Sequence, residues 1–159
     1  MRTLIFALLI ALIAAPASAQ DWGHYDNSRY GYSVEIPPEY LGQGESGNDD
    51  GQEFQRVRGA QRLTIWGGLL GTVNEAFEAE VKWRMAQEEA GAWHVTYQAT
   101  TPEWASFSAI KGFRILYQRM IMLCDRQSFA AFSLEYSVRD SAAMDPVVDK
   151  LVGSLRGAC

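Results

Sequence analysis

Residues 29–40, with the sequence RYGYSVEIPPEY, constrain the fold more than any other part of the chain. Apolar side chains alternate with polar ones from Tyr32 to Ile36, which is the period of a strand with one buried and one exposed face. Pro37 and Pro38 end this strand, because each proline lacks a backbone donor and fixes φ. From here the patterns predict strands, a helix, more strands and a last helix.

The beginning of the chain has the composition of a secretory signal peptide. Arg2 precedes an apolar run over residues 4–15, and residues 17–19 form an A-x-A cleavage site. A retained membrane anchor needs about twenty apolar residues, and this run is shorter. We therefore expect cleavage after Ala19 and a single mature domain, residues 20–159, that is periplasmic or secreted.

The charge of the chain argues against some classes of partner. It has 14 basic and 19 acidic residues, a net charge of −5. Arg2 is the only charged residue of the signal peptide, so the net charge of the mature chain is −6. An anionic protein without a basic run repels a phosphate backbone. We expect no nucleic-acid partner, and no stable membrane insertion after cleavage.

The two cysteines, Cys124 and Cys159, predict a disulfide. An even count in an exported chain is typical of one bridge, because the compartment is oxidising. A redox-active or metal-binding pair is the alternative, but the chain lacks C-x-x-C spacing and a histidine beside either residue. The bridge would join the final helix to a strand.

Turn residues and period-two alternation divide the rest of the mature chain into strands. The acidic, glycine-rich residues 42–51 are predicted to be a loop, and Gly67 and Gly68 are predicted to end the second strand of a hairpin. The short connections later in the chain indicate an antiparallel meander. The predicted strands are residues 22–27, 52–57, 62–66, 94–101, 104–111, 113–124 and 128–138.

Two segments have helical periodicity. The first covers residues 72–90, begins with a capping box of Thr72 and Glu75, and ends at Gly91. The second begins at Asp145, an N-cap residue followed by proline. Apolar stripes on the two helices are predicted to face the sheet; they are Val73, Phe77, Val81 and Met85, then Val148, Leu151, Val152 and Leu155. The pairs Glu78 with Lys82 and Glu80 with Arg84 are predicted on the exposed face.

An antiparallel sheet covered by helices is an α+β domain. The order of elements and three short motifs resemble the PsbP-like family, an α/β/α sandwich that includes the photosystem subunit PsbP and a Ran-binding import factor. The resemblance implies binding or assembly rather than catalysis. It implies no particular partner, because no partner-binding motif of either protein matches this chain. The motifs are residues 30–37, 48–54 and 63–67.

The acidic loop offers oxygen ligands that suit calcium. Set against an EF-hand, Ser46, Asn48 and Asp50 take the first, third and fifth loop positions. The twelfth position is Val57, where the bidentate glutamate belongs. The alternative is a solvated turn built on residues that tolerate positive φ.

Catalysis would have to use His24, His94 or the acidic loop. His24 lies near two aspartates, and His94 is on the polar side of its predicted strand. The chain has neither a G-x-S-x-G elbow nor a phosphate-binding glycine motif, so we expect no cofactor. A hydrolase or metal-dependent enzyme is the alternative to our main hypothesis, a non-enzymatic binding protein.

The tryptophans indicate where a binding surface would lie. Five tryptophans are many for one domain, and the residue is enriched at interfaces. Trp66 and Trp83 fall outside the predicted apolar stripes, so with Asp49, Asp50 and Glu53 they form the predicted surface. The alternative is that the indoles fill the seam between helix and sheet. The partner would be an envelope protein or a small ligand.

Overall fold

The structure is a computed structural model that describes residues 21–71 and 76–159. The predicted signal peptide and the predicted capping box of Thr72 and Glu75 lie outside these residues. The described part of the chain forms ten strands and two α-helices. The strands are β1 (Gly23–Asn27), β2 (Tyr32–Ile36), β3 (Tyr40–Glu45), β4 (Gly51–Arg56), β5 (Arg62–Leu69), β6 (His94–Thr100), β7 (Trp104–Lys111), β8 (Arg114–Met122), β9 (Ser128–Ser137) and β10 (Arg156–Gly157), and the helices are α1 (Phe77–Ala90) and α2 (Ser141–Ser154).

Seven strands form one antiparallel sheet in the order β3-β4-β5-β9-β8-β7-β6. The predicted meander is confirmed, because β6 to β9 are neighbours that follow each other along the chain. The strand that organises the sequence, β2, lies instead in a small sheet between β1 and β10. Its alternation holds, since Tyr32 and Val34 are 2% and 0% exposed while Ser33 and Glu35 are half-buried.

Helix α1 covers one face of the large sheet, and α2 together with the small sheet covers the other. Phe77 and Val81 of α1 pack with Phe129 and Ala131 of β9. The side chains of β9 that alternate with these pack with α2 and the small sheet; they are Ala130, Phe132, Leu134 and Tyr136. Both faces of β9 are therefore buried, and the layers form the predicted α+β sandwich. On the α2 stripe Leu151 and Val148 are buried, whereas Val152 is half-buried.

The prediction of a loop over residues 42–51 is wrong in its first half. Residues as far as Glu45 form β3, which pairs with β4 across a register shift between Gly42 and Glu45. Its side chains after Tyr40 are exposed, so the strand has no buried face to produce an alternating pattern. It exists because the free edge of β4 supplies backbone hydrogen-bond partners.

The prediction that Gly67 and Gly68 end the hairpin is also wrong. Both lie inside β5, which continues to Leu69. A Cβ atom on Gly67 would lie 2.7 Å from the Tyr30 ring, and one on Gly68 would lie 2.7 Å from the Phe129 ring. Glycine stands here because aromatic rings lie directly on the backbone, which a turn signal does not distinguish.

The final helix begins earlier than predicted. It starts at Ser141, after a 3-10 turn at Val138–Asp140, so Asp145 is not its N-cap and Pro146 lies inside it. Proline removes one bond of the helical ladder. The carbonyl that loses its donor belongs to Ala142, which is exposed, so water can replace the bond. The predicted disulfide is confirmed between Cys124 and Cys159, with a Cα to Cα distance of 5.8 Å.

Candidate functional site

Strand β5 presents Trp66 on the face of the large sheet that α1 partly covers. Gly51 of β4 and Ala131 of β9 are its neighbours in the ladder, so small residues leave room on both sides of the indole. Leu63 and Ile65, on the opposite face, are fully buried and fix the strand in place. Trp66 itself is half-buried.

Helix α1 brings an arginine onto this tryptophan. The Arg84 guanidinium lies 5.5 Å from the Trp66 ring centroid and 5.0 Å from that of Trp83. It also lies 5.6 Å from the ring of buried Phe129. Cation–π contacts with these rings favour a single position of the Arg84 guanidinium. The two predicted tryptophans thus belong to one surface, joined by a residue that the sequence assigned only to a helix-surface ion pair.

The Glu80–Arg84 pair is formed, but the prediction that it lies on the exposed face is wrong. Glu80 Oε1 is 2.8 Å from Arg84 Nε, and the Glu80 side chain is only 4% exposed. Glu80 follows buried Phe77 by one helical turn, so it faces the sheet rather than water. A buried ion pair holds its arginine more firmly than a surface pair would. The Arg84 guanidinium is therefore preorganised.

A shallow pocket of about 270 Å³ lies beside Trp66. Trp66, Asp50 and Glu53 line it, whereas Asp49 does not. We call Asp50, Glu53, Trp66, Trp83 and Arg84 the Trp66 surface. The indole Nε1 of Trp66 is buried and has no hydrogen-bond partner among the described residues. A buried donor without an acceptor costs free energy.

The acidic loop is held in place by its own hydrogen bonds. Asp50 accepts hydrogen bonds from Ser46 Oγ and from Asn48 Nδ2 on its two carboxylate oxygens. The backbone carbonyl of Asp50 accepts a bond from Tyr32 Oη at 2.8 Å, and that of Asp49 accepts one from Asn27 Nδ2 at 2.9 Å. The loop is thus tied to the small sheet. Within residues 21–71 and 76–159, no three histidine, cysteine, aspartate or glutamate side chains form a group that suits a metal ion.

The two histidines lie on different sheets. His24 is on β1, where its Nε2 is 2.9 Å from Asp26 Oδ2 on an exposed edge. His94 is the first residue of β6, the outermost strand of the large sheet. Neither residue lines the pocket beside Trp66. The enzyme alternative therefore remains a prediction, and neither histidine lies in the pocket to which it could contribute.

A second cleft, of about 240 Å³, lies between the two prolines and α2. Gln61 is its centre: the amide oxygen accepts bonds from Tyr40 Oη at 2.9 Å and Arg56 Nη1 at 3.2 Å, and the amide nitrogen donates to Asp140 at 3.2 Å. Burial raises the pKa of Tyr40 to about 12. Sequence reasoning missed this cluster, because its members come from three segments: Tyr40, the hairpin residues Arg56 and Gln61, and Asp140. Hydrogen bonds within the protein satisfy the polar groups of this cluster, which is typical of a structural network.

Comparison with known proteins supports the fold. Neither a protein-family model nor a curated protein sequence matches the chain. Among solved structures, cyanobacterial PsbP (CyanoP) from Synechocystis sp. PCC 6803 is similar, with a TM-score of 0.66 and 12% identity over 90% of this chain and 96% of that chain. The Saccharomyces cerevisiae Ran-binding protein Mog1p is similar with a TM-score of 0.65 and 6% identity, over 88% of this chain and 97% of that chain. The chain has the PsbP-like fold, as the sequence motifs predicted.

Across the described residues, neither helix is long and apolar enough to cross a membrane.

Proposed function

We propose that this chain is an exported, non-enzymatic binding protein that engages an envelope protein or a small ligand through the Trp66 surface. The observation that carries the proposal is the stacking of Arg84 against Trp66 and Trp83 beside a pocket that contains Asp50 and Glu53. Tryptophan and arginine are the residues that contribute most binding energy at protein interfaces. The similarity to a Ran-binding protein supports a binding role in general, without indicating the partner.

The surface is rigid enough to bind without reorganisation. Trp66 is on the third strand of a seven-stranded sheet, and Arg84 is held by buried Glu80. Hydrogen bonds to the small sheet fix the acidic loop next to them. Side chains already held in one arrangement lose little entropy on binding. A partner for this surface would offer an apolar or aromatic group to the indoles and donors to the two acids.

Export is supported by two independent features. The first is the predicted signal peptide, with its A-x-A site before Gln20. The second is the Cys124–Cys159 disulfide, which persists in an oxidising compartment. We therefore assign the protein to the periplasm or the extracellular medium.

The first experiment is affinity capture of the mature protein from envelope extract, with cross-linking and mass spectrometry, with and without calcium. We expect one enriched partner that Trp66→Ala and Trp83→Ala each reduce at least about tenfold, since a hot-spot truncation costs 2 kcal/mol or more. A parallel screen of small-molecule ligands by tryptophan fluorescence, repeated with Trp66→Ala, tests the other class of partner. Calcium would increase capture only if the acidic loop binds it.

Trp93→Ala is the matched control. Trp93 is also half-buried and lies near a cation, Lys111, but it comes after the C-terminal end of α1. The Trp93→Ala variant should capture the partner as well as wild type does. Equal loss in all three variants, or capture that none of them affects, would contradict the assignment of the surface.

A further inference from the structure

The face of the large sheet opposite α1 has an aromatic and cationic surface at the end formed by β6, β7 and β8. Trp104 and Ser106 of β7 are cross-strand neighbours of Ile121 and Arg119 of β8. Helix α2 lies on this face but packs on β9 and on the small sheet. Arg119 and Trp104 are half-buried, not covered.

Two tyrosines extend this surface. Tyr117 is two residues from Arg119 on the same strand face, and its ring stacks on buried Phe132 with 6.2 Å between centroids. Tyr97 of β6 lies beside Ser108 of β7 and is 52% exposed. We call Tyr97, Trp104, Ser106, Tyr117 and Arg119 the Arg119 surface. Accessible aromatic groups beside an arginine are typical of binding surfaces.

The Arg119 guanidinium is positioned but has no acid. It lies 4.2 Å from the Trp104 ring centroid, and Nη1 donates to Ser106 Oγ at 3.1 Å. Its Nε is buried without a partner, and within the described residues no carboxylate forms an ion pair with it. Arg56, Arg62 and Arg126, by contrast, each pair with a glutamate.

The partly buried position of the Arg119 guanidinium favours the binding of an anionic ligand. Burial lowers the pKa of Arg119, against the smaller opposing effect of Tyr117 and Tyr97. Arginine nevertheless stays protonated in proteins, so the desolvation cost remains until an anion arrives. A carboxylate that accepts from the two Nη groups would offset it and form a short, charge-assisted hydrogen bond.

We propose that the Arg119 surface binds an extended segment of a partner protein through an aspartate or glutamate side chain placed on Arg119, with apolar neighbours on Tyr97, Trp104 and Tyr117. The charge complementarity is local, because the mature chain as a whole is anionic and would repel a polyanion. An extended segment suits this surface, because Tyr97, Trp104 and Arg119 lie on three neighbouring strands of one sheet face and a peptide that crosses these strands can contact all three. This surface is separate from the Trp66 surface, which lies on the opposite face of the sheet.

The test is selection of a random dodecapeptide display library on the biotinylated mature protein. We expect the enriched peptides to share an aspartate or glutamate next to aromatic or aliphatic residues. One enriched peptide is then measured by isothermal titration calorimetry against its Asp→Asn or Glu→Gln form. The neutral peptide should bind at least about tenfold more weakly, as expected for loss of a charged partner from a half-buried pair.

Three variants make the result specific. Arg119→Ala should reduce the affinity for the acidic peptide at least about tenfold and abolish the difference between the two peptides. Tyr97→Ser changes an exposed residue, so it tests the surface without risk to folding. Arg126→Ala is the matched control, because Arg126 is an exposed arginine of the β8–β9 turn paired with Glu103, and it should bind as wild type.

Several outcomes would overturn the proposal. They are the absence of an enriched acidic motif, equal binding of the acidic and neutral peptides, and unchanged binding by both the Arg119 and Tyr97 variants. Sedimentation with phosphatidylglycerol vesicles tests a lipid surface instead. The proposal would also be overturned if vesicles bound in a way that depends on Arg119 while the selection gave no acidic peptide.

Discussion

Glu88 shows how a single half-buried charge affects stability. Burial on α1 raises the pKa of this carboxyl, and the nearby Glu135 carboxylate raises it further. An acid whose pKa is higher in the folded state than in the unfolded state stabilises the fold while it is protonated. Its contribution is therefore complete below its ordinary pKa of 4.5 and is lost as the pH rises through the higher folded value.

We expect Glu88→Gln to be more stable than wild type at pH 7, because the neutral amide avoids the desolvation cost of the carboxylate. The gain should disappear near pH 3.5, where Glu88 is protonated and resembles glutamine. Urea unfolding of both proteins at the two pH values measures the difference.

Glu89→Gln is the control, since Glu89 is the next residue of α1 and is exposed. It should give no gain at pH 7. A Glu88→Gln protein less stable than wild type at pH 7 would show that the attraction of Arg84 and Arg62 to Glu88 outweighs its desolvation.

Two glycines should respond to alanine in opposite directions. In Gly68→Ala the new methyl group would lie 2.7 Å from the ring of Phe129, which is 1% exposed and cannot move aside. We expect a loss of about 1–3 kcal/mol from overpacking. Gly153 of α2 has open space around its Cβ position, so Gly153→Ala should gain about 0.5–1 kcal/mol of helix stability.

Thermal and urea unfolding of the two glycine variants give both values. A Gly68→Ala protein as stable as wild type would mean that β5 and Phe129 can separate at little cost. The close approach of the Phe129 ring would then not explain why β5 has glycine at this position.

At the scale of elements, the disulfide joins the end of β8 to the segment after β10. It closes a loop of 35 residues that contains β9 and α2. The chain-entropy model gives about 4 kcal/mol for a loop of this size. We expect the Cys124→Ser/Cys159→Ser double variant to lose about 2–4 kcal/mol in urea unfolding.

Wild-type protein unfolded in a reducing agent provides the comparison. It should match the double variant, because both lack the same covalent link. A double variant as stable as the oxidised protein would show that β10 and α2 are held by packing alone.

Patterns with one buried face were predictable from the sequence, and patterns without one were not. Strands β2 and β8 were found because their alternation matches burial, and β7 and β9 because turn residues bound them. Helix α1 was found because Phe77 and Val81 are one helical turn apart. Strand β3 was missed because its side chains are exposed, and the start of α2 was misplaced because Pro146 is a stronger signal than Ser141. Of the predicted site residues, the structure brings Trp66 and Trp83 together through Arg84 and places Asp50 and Glu53 in the pocket beside Trp66, whereas Asp49 does not line that pocket.

Arg84 and Arg119 show why the remainder of the candidate surfaces could not be predicted. Arg84 has a glutamate four residues before it, which is also the pattern of a solvated helix pair. Arg119 is one polar residue in a strand, and nothing local shows that Trp104 lies beneath it. Contacts between distant segments, not spacing along one segment, place both side chains.

At the scale of the molecule, the two covering layers are offset. Helix α1 packs on β6, β7 and β9, whereas α2 and the small sheet lie over β9 and β5 on the other face. Each face of the seven-stranded sheet therefore has an uncovered end, and the two uncovered ends lie on opposite faces. The Trp66 surface lies at one of these ends and the Arg119 surface at the other, so partners bound to the two proposed surfaces would not contact each other.

The two outermost strands of the large sheet, β3 and β6, share an irregularity. Each breaks register with its neighbour, β3 between Gly42 and Glu45 and β6 between Val95 and Tyr97. A bulge twists the strand, so its outer backbone groups no longer form a straight row that another copy can match. Adding strands from further copies, the first step toward a fibril, is thus disfavoured at both ends. The half-buried aromatic groups of the sheet thus lie between two edges that are poorly suited to pairing with another copy of the chain.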